Sequence, residues 1–141
     1  MKRDEVIGEV DPQMRAAAEE FFQKLYIDHD FIGAMRDRTK PGFVEHNSHL
    51  PNDPEDQIRW FEERAKANPG KIANEADWNT RLVHKFIVPG YLIVHYFMSI
   101  GPTDRGRMFA DFWNFDGDKL SEHWDVVQEV PEKTESGNPM W

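Results

Sequence analysis

The sequence predicts an α+β fold in which three N-terminal helices pack on one face of an antiparallel sheet formed by the C-terminal half. In the first half, Met14, Ala18, Phe21 and Leu25 recur at steps of four, three and four, the spacing of one helix face. In the second half, runs rich in β-branched and aromatic residues alternate with tight-turn dipeptides. The length of 141 residues suits a single domain, 1–141, with residues 131–141 as a polar tail.

The elements follow in order. Asp11-Pro12 starts the first helix, because Asp caps free N–H groups and Pro tolerates the first helical position. That helix runs to about His29. Asp30 caps a shorter second helix with Phe31, Ile32 and Met35, ending near Arg38. Pro41-Gly42 breaks the chain before a brief extended segment, Phe43 to His46. Asp53-Pro54 starts a third helix marked by Ile58, Phe61 and Ala65, and Asn68-Pro69-Gly70 stops it. Leu82–Val88 and Tyr91–Ile100 then read as strands joined by Pro89-Gly90. Met108–Phe115 and Leu120–Val130 flank the hairpin loop 116–119. Short turns demand antiparallel pairing, so the expected sheet is a four-stranded meander.

Composition narrows the chemistry. There are 26 acidic and 17 basic residues, a formal net charge of −9, and no run of Lys or Arg, which argues against nucleic acid as a partner. With no cysteine, a disulfide framework, a thiolate metal site and a cysteine nucleophile are excluded. The longest apolar region, Tyr91 to Met98, is interrupted by His95 and is far shorter than a membrane span. The N-terminus carries no apolar stretch of signal-peptide length, and the expectation is a cytoplasmic protein without a membrane partner. Five Trp and ten Phe are many for so small and acidic a chain.

The polar residues inside strands are the informative ones. Asp111 lies within Met108–Trp113, His95 within Leu92–Phe97, and His123 and Asp125 flank Trp124. A carboxylate among aromatic residues must be hydrogen-bonded, paired or protonated, and desolvation raises its pKa toward the range useful for a general base. His123 and Asp125 share a strand face. An odd-numbered loop, such as 116–118, sets Asp111 across from His123 with Asp125 diagonal. A two-residue loop, Gly117-Asp118, sets Asp111 across from Trp124 and dissolves the cluster. Both registers stay open at this level, as does a purely structural Asp–His pair. His46 and His49 form an H-x-x-H pair that, with His123, gives a metal alternative. No phosphate-binding loop, dinucleotide fingerprint or G-x-S-x-G is present.

Glu45-His46-Asn47-x-His49-x-Pro51 resembles the Q-H-N-P-H-x-P segment of SnoaL-like proteins. The run Asp111-Phe112-Trp113-x-Phe115-x-Gly117-x-Lys119-Leu120-x-Glu122-His123-Trp124-Asp125-Val126-Val127 resembles their D-I-x-R-x-x-x-G-K-I-x-E-H-W-D-V-I/V signature. Gly137-Asn138-Pro139-Met140-Trp141 is similar to the G-N-x-M-F ending of the predicted aldol-condensation branch. The likeness covers essentially the whole chain. It implies an NTF2-like cone-shaped α+β barrel enclosing a pocket, a homodimer through the outer sheet face, and no cofactor or metal. It also implies acid/base catalysis on a mostly apolar carbonyl ligand, such as aldol condensation or cyclisation, isomerisation or dehydration. A non-catalytic small-molecule-binding or dimerisation module is the alternative. By motif position Asp125 is the base, Asp111 the second polar residue of the preceding strand, and His123 tunes Asp125. His46, Asn47 and His95 are candidate partners for a substrate carbonyl, and Trp113 stands near where many members carry Arg. Pro139-Met140-Trp141 is expected to pack near the pocket mouth or dimer interface, because a buried Trp offsets the ordering of the polar tail.

Overall fold

The computed structural model describes residues 8–67 and 78–141. Aspartates start all three helices. Asp11 caps α1 (Pro12–Phe22) by accepting from the Met14 amide at 3.0 Å, with Pro12 opening the helix. Asp30 caps α2 (Phe31–Arg38) through the Gly33 amide at 2.8 Å. Asp53 accepts from the Glu55 and Asp56 amides at the start of α3 (Pro54–Ala67). The stop expected at Asn68-Pro69-Gly70 lies outside the described residues.

Helix α1 continues into a π-helical turn, Gln23–Ile27, in which the Asp28 amide donates to the Gln23 carbonyl five residues back. This wider turn advances the buried stripe by one position. Met14, Ala17, Ala18 and Phe21 are followed inward by Tyr26. Leu25, which a uniform helical period places in the stripe, is only partly buried.

The sheet has five strands and is mixed, a correction to the four-stranded antiparallel meander. Its strands are β1 (Thr39–Glu45), β2 (Trp78–Val88), β3 (Tyr91–Ile100), β4 (Arg107–Asp116) and β5 (Lys119–Glu129), in the order β1-β5-β4-β3-β2. The segment read as a brief extension at Phe43 to His46 ends in this fifth strand, which lies parallel to β5 at an edge. Pro41 and Gly42 inside β1 obscure it in the sequence. Only an edge position tolerates a proline, which has no N–H to give a neighbouring strand. The remaining pairs are antiparallel, as expected.

The β4–β5 hairpin decides which side chains meet. Its turn has two residues, Gly117 and Asp118, and Gly117 at φ 61° suits the first central position of a type II′ turn. Taken alone, this turn would set Asp111 opposite Trp124. A β-bulge intervenes: Phe115 pairs with Leu120, but Asn114 pairs with Glu122, so Ser121 is an extra residue in β5. The slip restores even parity, placing Asp111 opposite Asp125 and Trp113 opposite His123. The Ser121 hydroxyl secures the bulge by donating to the Asn114 side-chain oxygen.

The helices cover the sheet face that carries these residues. Phe21 of α1 meets Trp113 edge-on at 4.8 Å and Phe115 at 6.3 Å. On the opposite face, the tail turns back through Thr134, whose hydroxyl donates to the Asn138 carbonyl at 2.6 Å. Trp141 then lies 4.8 Å from the Phe97 ring with the Arg81 guanidinium 5.9 Å from its own ring centre. Phe97 is buried there. Ending the chain at Asn138 uncovers this ring. The expected cost is about 1 kcal/mol, seen as a fall of a few degrees in melting temperature; an unchanged melting curve would show that the tail contributes no packing.

Candidate active site

A cavity of about 490 Å³ lies between the helices and the inner face of the sheet. Its walls are mostly apolar, including Leu25, Phe31, Phe61, Met98 and Phe109, with Tyr96 stacked on Phe109 at 4.9 Å. Into this lining project Tyr26, Asn47, Asp111, His123 and Asp125. A largely apolar cleft with a few convergent polar groups is the usual form of a small-molecule site.

These polar groups form a connected network. His123 is 3% exposed, and its Nδ1 lies 2.7 Å from Glu45 Oε1, while its Nε2 lies 3.7 Å from Asp111 Oδ1. The Glu45 side chain is fully buried and also accepts from the Asn47 amide at 2.9 Å and the Gln57 side-chain amide at 3.0 Å. Asp111, 4% exposed, accepts from the Tyr26 hydroxyl, which in turn accepts from Trp113 Nε1 at 2.8 Å. Asp125 accepts from the Asn47 side-chain amide. The imidazole of His123 lies flat on the Trp113 indole, with centroids 3.7 Å apart.

The surroundings set the protonation states. Burial pulls the His123 pKa down, but hydrogen bonding and charge from Asp111 and Glu45 outweigh it and hold the pKa at about 9. His123 is therefore an imidazolium at neutral pH, further favoured by the indole face beneath it. Its Nε2 is buried and pairs with Asp111 Oδ1 at 3.7 Å, with no closer hydrogen bond among the described residues. Asp125 is half-buried, and desolvation raises its pKa above the ordinary carboxylate value. The Asn47 hydrogen bond and the His123 charge oppose that rise, while the Asp111 and Glu45 charges reinforce it. Burial first, and Asp111 second, push both Tyr26 and Tyr96 well above the usual phenol range.

The sequence candidates divide between the two sheet faces. Asp111, His123, Asp125, Asn47 and Trp113 line the cavity. His46 and His95 do not. His46 stacks on Trp124 at 4.8 Å and pairs with Glu122 at 2.7 Å, because strand alternation turns it away from the cavity while Glu45 and Asn47 turn inward. His95 instead meets His84 of the neighbouring strand, with the two Nδ1 atoms 3.1 Å apart. The H-x-x-H pair is thus split, since His49 lines the cavity and His46 does not. Two residues of the site have no expectation attached to them in the sequence. Tyr26 arrives by the π-helical turn, and Glu45 by parallel pairing that aligns it with His123.

For a metal, the relevant group is Asp111, His123 and Asp125, whose donor atoms lie within 4.8 Å of one another. Donors on one ion with bonds of about 2.0–2.2 Å sit no more than about 4.4 Å apart, so the group would have to draw in. The hydrogen bonds from Tyr26 and Asn47 and the proton on His123 already engage these atoms.

No protein-family model matches the chain, and no curated protein sequence matches it. Solved structures do. A protein from Jannaschia sp. CCS1, provisionally assigned as a SnoaL-like polyketide cyclase, superposes with a TM-score of 0.59 at 11% identity, over 86% of this chain and 92% of that one. A steroid delta-isomerase from Pseudomonas aeruginosa superposes with a TM-score of 0.60 at 12% identity, over 91% and 85%. AclR from Streptomyces galilaeus, provisionally assigned as a hydroxylase, gives 0.56 at 17%, over 82% and 88%. The chain shares the α+β fold of these solved structures, three helices on a sheet that is open rather than closed. No helix among the described residues is long and apolar enough to cross a membrane.

Two outcomes follow from the network. Because His123 gains its proton in the folded state, its contribution to stability is fully present below about pH 6.5 and is lost as the pH rises through about 9. Denaturant unfolding from pH 6 to 10 should show that decline, and His123→Gln should remove it. Tyr26→Phe leaves Asp111 and the Trp113 N–H short of a buried partner, for an expected loss of about 1–3 kcal/mol. Equal unfolding midpoints for Tyr26→Phe and wild type would show that the hydroxyl contributes nothing.

Proposed function

We propose that this cavity performs acid/base chemistry, without a cofactor, at a carbon next to the carbonyl of a small, mostly apolar compound. The observation that carries the reading is a proton acceptor and a proton donor converging on one apolar cleft. Asp125, with its raised pKa, lines the same cavity as the charged His123, whose Nε2 lies against Asp111 at the cavity wall. In this reading Asp125 removes a proton α to the carbonyl, and the electron pair moves onto the carbonyl oxygen. His123 stabilises that oxygen by donating from Nε2. The enolate then attacks a second carbonyl, whose alkoxide takes the proton from Asp125, giving aldol addition or cyclisation. Alternatively it is reprotonated elsewhere by Asp125, giving isomerisation, or expels a β-hydroxyl that leaves as water with that proton, giving dehydration.

Asp111 serves as the second carboxylate of the set. Held by Tyr26, it helps keep His123 charged, and with His123 it shapes the floor against which Asp125 works. Asn47 orients Asp125, and Trp113 supplies the plane on which His123 lies. The aromatic walls suit a flat ligand. The similarity to structures named as polyketide cyclases and a steroid isomerase supports the same class of substrate.

A homodimer is part of the proposal. The outer sheet face exposes Phe86 and Val126, which are 53% and 66% accessible, beside Trp124. Apolar side chains gathered on a sheet face favour burial against a second copy. Sedimentation of wild type as a dimer, and of Val126→Glu as a monomer, is the expected result; a wild-type monomer would sink this part.

The chemistry is tested by deuterium exchange. A panel of flat cyclic ketones in D2O is followed by NMR for loss of α-proton signals. The wild type should accelerate exchange for some members, and Asp125→Asn should lower that rate by about 10²–10⁴-fold. Ketones that bind without any exchange would instead support a non-catalytic binding module.

A further inference from the structure

Both proton-handling groups of the cavity are held by one short stretch of chain. Strand β1 ends at Glu45, which is aligned with His123 in the parallel register, and the His46 amide donates to the His123 carbonyl at 3.0 Å. Alternation then sends residues 45 and 47 toward the cavity side and residue 46 away. We infer that Glu45 is a positioning residue and that, with Asn47 two residues on, it makes the end of β1 the element that orients both sides of the acid/base pair. Glu45 fixes His123 with Nε2 toward Asp111, and Asn47 fixes Asp125.

The geometry supports a positioning role over simple packing. Glu45 Oε1 accepts from His123 Nδ1, which leaves Nε2 as the nitrogen turned toward Asp111. A ring nitrogen's role is set by what the other nitrogen bonds. Glu45 is itself immobilised. The Asn47 backbone amide donates to the same Oε1, while Gln57, fully buried in α3, donates to Oε2 and to the Pro51 carbonyl at 2.9 Å. Asn47 is anchored in the same unit, since its side-chain oxygen accepts from the His49 amide at 2.7 Å while its amide nitrogen donates to Asp125. A shift of this segment therefore moves donor and acceptor together.

A buried carboxylate held by three donors is also a fixed negative charge beside the imidazolium. Removing the charge while keeping the shape separates the two contributions. Glu45→Gln is suited to this, because its amide oxygen can still accept from His123 Nδ1 and the Asn47 amide while the charge is removed.

The inference rests on the proposed acid/base reading only for its activity, so the test has two arms. In the first, nitrogen-15 NMR of histidine follows the protonation and tautomer of His123 from pH 5 to 10 in wild type, Glu45→Gln and Glu45→Asp. The expected result is a midpoint at least one pH unit lower in Glu45→Gln, with a changed balance of the two ring nitrogens, and partial recovery in Glu45→Asp. A His123 titration and tautomer identical in Glu45→Gln and wild type overturns the inference, whatever the activity does. In the second arm, ketone proton exchange by Glu45→Gln should fall about 10–100-fold in kcat with KM within about threefold. A shifted His123 titration with no exchange by the wild type itself would leave the positioning role standing and refute the acid/base reading.

Discussion

The site depends on a buried imidazolium held between two carboxylates. Glu45 and Asp111 stand on either side of His123, and all three side chains are almost wholly removed from water. A charged pair in an apolar interior is costly unless its remaining hydrogen-bonding capacity is met. Here Asn47, Gln57 and Tyr26 meet that of the two carboxylates. Each of these donors comes from a different part of the chain, so satisfying the charges also fixes where α1, β1 and α3 sit relative to β4 and β5.

That arrangement explains why two aspartates directly opposite one another have different surroundings. Asp111 is buried and held by the Tyr26 hydroxyl, next to the imidazolium. Asp125 is half-exposed to the cavity, receives one side-chain donor and feels two other carboxylates nearby. Burial and like charge push its pKa up, the combination that makes a carboxylate a useful base. The aromatic excess of the sequence supplies the low-dielectric wall that makes these effects large. Part of that excess also works structurally, as in Phe21 packed edge-on against Trp113.

Much of this was legible in the sequence, for physical reasons that vary by residue. The three helix starts could be read because an aspartate followed closely by a proline or a helical stripe satisfies local backbone groups, with no help from the rest of the fold. The E-H-W-D run and the strand positions of Asp111, His123 and Asp125 were equally plain. What could not be read depended on irregularities. Ser121 adds one residue to β5, so that a two-residue turn yields the face pairing expected of an odd loop. The π-helical turn brings Tyr26, rather than Leu25, inward. Glu45 becomes part of the site only through a parallel edge strand whose partner lies 78 positions away in sequence. His46 and His95 lie on the outer face because strand alternation, invisible without the register, turns them there.

The proposed role of Asp125 is that of the tuned base of this cavity. Its most direct test is a carbon-13 NMR titration of the side-chain carboxyl of Asp125, assigned by comparison with Asp125→Asn. The expected midpoint lies above the ordinary aspartate value and moves higher when Asn47→Ala removes the hydrogen-bond donor. An Asp125 that titrates as an ordinary surface aspartate, and that does not respond to the loss of Asn47, would contradict it.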